Sequence, residues 1–310
     1  MKRFSCVVLC LFSAYFLSAQ LSSIRLGVLK GISCAPCAYL IENKAKLSVQ
    51  NMNFQIFDSE RTELPKLLRG ELDVGFLAPK DAAKVFKTTG GSIVMLASVQ
   101  NGNLFLLTND ENYRSFEDLK GETLICAEND IEETTVFKHI LSEKEITIGD
   151  DEKSVKIDFS VPQANIANSL ILGKTKYALV REPFATIALN TSSVRRVENI
   201  QKTYSSVEEG SSFPVLLLVA RTDFVKEKSD LLKRFLEEYR KALLWTTKNP
   251  SNAAFLIEKH DFGLSSSVAG KSIPNASLTF RESNAVKSDL EKLYGLLGVE
   301  NPTDEFYFRK

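Results

Sequence analysis

Cys34-Ala35-Pro36-Cys37 is the sharpest chemical motif in the chain. A strand followed by C-x-x-C at the opening of a helix places a thiolate where the helix end stabilises negative charge. The spacing admits three readings: a structural pair, a pair lining a ligand site, and redox or metal work. Thiols three apart in a first helical turn can be bridged with modest adjustment, so an oxidising compartment would allow a Cys34–Cys37 disulfide. Against thiol exchange as the main activity, no Trp stands beside the motif, and 310 residues far exceed one redox domain. Pro162-Gln163 is only a weak candidate for a loop facing the thiols. Gly270-Lys271-Ser272 resembles a phosphate loop, but Ser265 stands where its first glycine belongs. His139 and His260 lack metal-ligand spacing to each other or to the cysteines. These residues predict no catalytic set, no metal and no cofactor.

A second group of residues follows apolar strand-like runs. In open α/β sheets, ligands bind beyond the carboxyl ends of strands, where loops and helix N-termini present free N–H groups. That rule selects Lys30, Gly31, Ser33 and Cys34 after Ile24–Leu29, and Asp58 after Phe54–Phe57. It also selects Ala78, Pro79 and Lys80, then Asn101 and Asn103, then Glu128, Asn129 and Asp130, and finally Arg181, Glu182 and Phe184. Lys30, Lys80 and Arg181 suit an anion. Asp58, Glu128, Asp130 and Glu182 suit a cationic or hydrogen-bond-donating group. The mixture points to a small polar or zwitterionic solute, or an aromatic ring with polar substituents.

The elements that must hold these loops show a duplication. Leu64, Leu67 and Leu68 at helical spacing end at Gly70, an apolar run Leu72–Leu77 follows, and Pro79 opens the next segment. Ile166, Leu170 and Ile171 end at Gly173, Tyr177–Val180 follows, and Pro183 opens the next segment. Each copy predicts helix, left-handed glycine cap, strand and a new helix starting at proline. Alternation of this kind predicts an α/β fold with largely parallel sheets, here in two lobes with a cleft between them. The expected division is a leader over 1–19, a first lobe from 20–108 and 213–310, and a second lobe over 109–212. The chain would then cross between lobes near Asn109 and Ser212. Asn101-Gly102-Asn103 reads as a turn between two strands of one sheet, and the C-terminal third as helical without a strand of its own.

Lys2 and Arg3 precede an apolar run from Phe4 to Leu17 and small residues at Ser18-Ala19, the layout of a cleaved secretory signal. Its removal takes Cys6 and Cys10 with it, and neither stands in a lipid-attachment context. The expected location is periplasmic, without a lipid anchor. Lys plus Arg and Asp plus Glu are each 39, so no global field favours nucleic acid or anionic lipid.

Several segments together resemble the solute-binding proteins of ABC importers. They are Ile24–Gly31, Leu68–Phe76, Phe116–Thr123, Arg181–Phe184, Val219–Phe224 and Asn249-Pro250. The branch most similar is the nitrate, sulfonate and taurine group, related to the thiamine-pyrimidine precursor synthases. The resemblance implies a class II periplasmic-binding-protein fold, a solute trapped at the hinge cleft, delivery to a membrane permease by a monomer, and no enzymatic activity. It also implies that Lys30 to Cys34, Ala78 to Lys80, Glu128 to Asp130 and Glu182-Pro183 face the solute. The chain departs from the group at Cys34–Cys37 and at Glu128–Asp130. Two other readings stay open: an enzyme on the same fold, such as a pyrimidine-precursor synthase or lyase, and a thiol oxidoreductase using Cys34 and Cys37.

Overall fold

The computed structural model describes residues 23–49, 51–127 and 131–309. Strands β1 (Ile24–Leu29), β2 (Met52–Phe57), β3 (Val74–Leu77), β4 (Ile93–Asn101), β10 (Pro214–Arg221) and β11 (Leu278–Glu282) form one sheet, in the order β11-β4-β10-β3-β1-β2. Strands β5 (Leu104–Thr108), β6 (Thr123–Ile125), β7 (Lys156–Asp158), β8 (Tyr177–Arg181) and β9 (Arg195–Asn199) form a second, in the order β7-β6-β8-β5-β9. β1 runs parallel to β2 and β3, and β6 runs parallel to β7 and β8. The expected α/β class is what folds, but both sheets are mixed rather than largely parallel: β10 runs antiparallel to β3 and β4, β11 to β4, and β5 to β8 and β9, because the chain crosses between the sheets at β5 and returns through β10.

The duplicated pattern forms as its residues dictate. Helix α2 (Glu60–Leu68) ends where Gly70, at φ +73°, donates to the Leu67 carbonyl and Glu71 donates to that of Lys66. Helix α5 (Gln163–Ile171) ends the same way, with Gly173 at φ +66° donating to Leu170 and Lys174 to Ser169. Both are Schellman closures, which glycine permits because it carries no Cβ to clash in the left-handed region. β3 is buried along its length, and Pro79 then opens α3 (Pro79–Thr88). β8 leads to Pro183 and the short α6 (Phe184–Ala188).

Helices cover the sheets. α1 (Ala35–Asn43) packs against the long α9 (Ser229–Lys248), with Tyr39 and Trp245 rings 4.6 Å apart. α4 (Glu132–Glu143) and α7 (Ile200–Val207) cover one face of the second sheet, and α12 (Ser283–Leu297) packs on α4. The apolar core is therefore continuous from the first sheet into the α4–α7 layer, while a separate cluster lies under α5 and α6.

Four further details differ from the sequence expectation. Leu104–Thr108, placed in the first lobe by sequence, pairs with β8 and β9 in the second sheet. The first crossing accordingly lies at Gly102-Asn103, not near Asn109, and the Asn-Gly-Asn segment joins two sheets rather than closing a hairpin. Gly102 is bare because the Phe213 ring of the return crossing occupies the space a Cβ would need, 1.9 Å from its built position. The C-terminal third does contribute a strand, β11, an edge strand on β4 whose Arg281 and Glu282 obscure its apolar alternation. β9, Arg-Arg-Val-Glu-Asn, is likewise a charged edge strand that apolar patterning misses.

Candidate functional site

The two sheets meet at their carboxyl edges. β4 ends at Asn101, at the edge where β1, β2 and β3 also end. After only Gly102 and Asn103, β5 starts at Leu104, which pairs with Arg181 at the carboxyl end of β8. A crossing this short brings the loops after β1–β4 opposite those after β6–β8. It is the arrangement in which an open-sheet fold places a ligand.

Two helix N-termini meet at this junction. The Lys80 N–H, in the first turn of α3, donates to Glu132 Oε1 of α4 at 3.0 Å. Glu132 is only 6% exposed, and burial raises its pKa. Glu133, also buried, lies 4.0 Å from Arg181 Nη1. Behind this contact, α2 supplies two more carboxylates to the same backbone. Glu60 Oε2 accepts from the Ala78 N–H at 2.9 Å, and Glu63 Oε1 accepts from the Phe76 N–H at 3.1 Å. Alternate N–H groups from Phe76 to Lys80 thus each meet a carboxylate. Burial pushes the Glu60 carboxyl up to about 7 and that of Glu63 to about 8, because a charge leaving water loses more than one backbone hydrogen bond returns. Glu63 fits only because the facing backbones are Gly27 and Gly75.

The structure gathers Ala78, Pro79, Lys80 and Arg181 at this junction. Lys30 and Asp58 form a separate rim, paired at 2.9 Å, with Asp261 at 3.9 Å from the same ammonium. Gly31 donates to the Phe262 carbonyl and Ser33 is half-buried beside it. Asn101 and Asn103 belong to the crossing: the Asn101 N–H donates to Ser277, and the Asn103 carbonyl accepts from the Glu182 N–H. Glu182 is committed to the protein. Its carboxylate takes the Thr186 N–H at 3.1 Å and Arg196 Nη2 at 3.1 Å. Arg196 in turn donates to Asn275, tying the second sheet to the C-terminal region. Phe184 packs into the core under α5 and α6. Glu128, Asn129 and Asp130 lie outside the described residues, as do the leader residues 1–19.

Cys34 does not line the junction. Cys34 and Cys37 are both fully buried in the first core, and they are free thiols rather than a disulfide. Cys34 ends a turn of 3-10 helix, Ile32–Cys34, that directs its side chain inward. Burial, then the hydrogen bond with Cys37, holds its thiol well above the ordinary value, the opposite of a reactive thiolate. Proximity to the Lys30 loop in sequence suggested exposure, and the apolar face of the turn reversed it. Glu60, Glu63, Glu132 and Glu133 escaped the sequence reading because acidic residues in a first helical turn ordinarily serve the helix dipole from solvent. The only local signal for Glu63 was a charge on an otherwise apolar helix face.

Two α/β sheets joined by paired crossings, with their carboxyl edges facing, define the periplasmic-binding-protein class of fold. The chain belongs to the NMT1/THI5-like family, whose model matches residues 50–253. No curated protein sequence matches it significantly. Among solved structures it is similar to an ABC transporter protein from Parabacteroides distasonis, with a TM-score of 0.76 and 18% identity, covering 93% of this chain and 99% of that one. It is also similar to the periplasmic aliphatic sulphonate binding protein SsuA from Escherichia coli, with a TM-score of 0.70 and 13% identity, covering 93% and 92%. The periplasmic nitrate-binding protein NrtA from Synechocystis PCC 6803 aligns with a TM-score of 0.60 and 14% identity, covering 89% and 80%. At these identities the likeness is one of fold. No helix among the described residues is long and apolar enough to cross a membrane.

Proposed function

We propose that this chain is the exported, non-enzymatic solute-binding component of an ABC importer. Residues 1–19 act as its leader. One lobe carries the six-stranded sheet and the other the five-stranded sheet, and they move about Gly102 and Phe213. A small polar or heterocyclic solute enters between the carboxyl edges, and its higher affinity for the closed form shifts the population towards closure. The closed surface is what a membrane permease would read. The observation that supports this most is the facing of the two edges across a two-residue crossing, with Lys80 and Glu132 already in contact. Fold likeness to sulphonate- and nitrate-binding proteins and membership of the family support it further.

Thiol exchange is the weaker reading, since a buried Cys34 held as a thiol is a poor nucleophile. Insulin reduction by the protein but not by Cys34→Ser would reinstate it.

A thermal-shift screen of the mature protein tests the proposal across sulfonates, oxyanions, pyrimidines, flavins and amino-acid derivatives. A true solute at a hundredfold excess over its Kd adds ~2.7 kcal/mol of stability, enough to identify its class. A midpoint unmoved by every class would reject the reading.

A further inference from the structure

The α3 helix end is where an anionic solute would be expected to dock, because a helix N-terminus presents unpaired N–H groups and a partial positive charge. In this chain that end is already taken. The Ala78 N–H is held by Glu60, Pro79 has no N–H, the Lys80 N–H is held by Glu132, and the Ala82 N–H closes on the Ala78 carbonyl. Of the first-turn donors this leaves that of Asp81, whose own carboxylate carries a further negative charge into the same turn.

Two of the occupying groups differ in origin. Glu60 comes from α2, in the same sheet layer as α3, and is fixed by the fold of that unit. Glu132 comes from α4 on the other sheet, so it arrives only when the two units are together. It is a carboxylate delivered across the junction to a helix end, the pose an anionic solute would otherwise take. An oxyanion entering here would have to displace it and would meet the carboxyl groups of Glu60, Asp81 and Glu133, with Arg181 already set against Glu133.

We infer that Glu132 is the specificity-determining residue of the junction: by occupying the α3 helix end with the chain's own carboxylate, it excludes small oxyanions such as nitrate and alkanesulfonates. The inference rests on the solute-binding reading above. It separates this chain's solute from the ligands named for the two neighbours that share its fold.

Isothermal titration of nitrate and ethanesulfonate into the mature protein, Glu132→Gln and Glu132→Ala tests it. The wild type is expected to give no binding heat. Glu132→Ala, which empties the helix end, is expected to bind ethanesulfonate at least about tenfold more tightly than the wild type's detection limit, equivalent to ~1.4 kcal/mol. Glu132→Gln removes the charge but keeps an acceptor for Lys80, so it preserves the junction if Ala unfolds the chain, and it should gain a smaller part of that affinity. Wild-type binding of either anion as tight as that of the variants overturns the inference, and so do folded variants that stay silent. The two readings fail differently. A wild type that binds an oxyanion sinks the exclusion alone, whereas a solute screen without any response sinks the binding role.

Discussion

The two copies of helix, glycine, strand and proline close with the same pair of Schellman hydrogen bonds, yet they bury their carboxylates differently. In the first copy, Glu60 and Glu63 project from the helix and reach backbone N–H groups of the following strand and loop, without a basic partner among the described residues. In the second, Glu182 sits at the strand end and is matched by Arg196, whose guanidinium also lies 3.9 Å over the Phe105 ring. One copy holds its carboxylates by burial and single N–H donors, which favours the protonated form. The other adds a guanidinium, although burial still raises the Glu182 pKa. Identical local grammar therefore does not set the partners of the carboxylates it carries.

The largest effect should come from breaking the paired copy. Glu182→Ala leaves Arg196 without its carboxylate, and removing one partner of a buried pair typically costs about 3–5 kcal/mol. Urea denaturation measures it, and a loss smaller than that of an exposed pair would mean the pair contributes little.

Next comes the pH response of the unpaired copy. Glu63 and Glu60 have folded-state pKa values of about 8 and about 7, above the 4.5 of an unperturbed glutamate. Between those limits the folded chain holds protons that the unfolded chain has released, so stability falls as pH rises from about 4.5 to about 8. Within that window each of the two carboxyls contributes a slope of up to ~1.4 kcal/mol per pH unit. Glu63→Gln should flatten that slope while leaving the Glu60 part. An unchanged slope would place the titration elsewhere.

A smaller effect tests the joint between the copies. Gly102→Ala pushes a methyl into the Phe213 ring, an overpacking worth about 1–3 kcal/mol. Phe213→Leu in the same chain should recover part of it, and additive losses in the double variant would show the two crossings to be independent. The smallest change is expected at the rim, where Lys30→Ala removes a solvent-exposed partner of Asp58. Its denaturation midpoint should match the wild type, and any clear loss would make the rim part of the stabilising framework.

Much of the fold was legible from the residues. Both Schellman glycines, both proline helix starts and the strands β1, β2, β3 and β8 follow from spacing and residue type. The charged edge strands β9 and β11 did not, because half-exposed strands need apolar residues on one face only and carry charges freely on the other. At the junction, Ala78 to Lys80 and Arg181 were legible as ends of parallel strands. Cys34 was misplaced, and Glu132 was unread, since neither burial direction nor a partner from another sheet is written in local sequence.

By itself the sequence determined the repeated α/β elements and where their loops end, because backbone geometry at glycine and proline and the period of apolar residues are local properties. Only the tertiary structure decided which carboxylates are buried, which are paired and which N–H groups they reach. Those outcomes depend on desolvation and on neighbours more than fifty residues away, as with Lys80 and Glu132 across the two sheets.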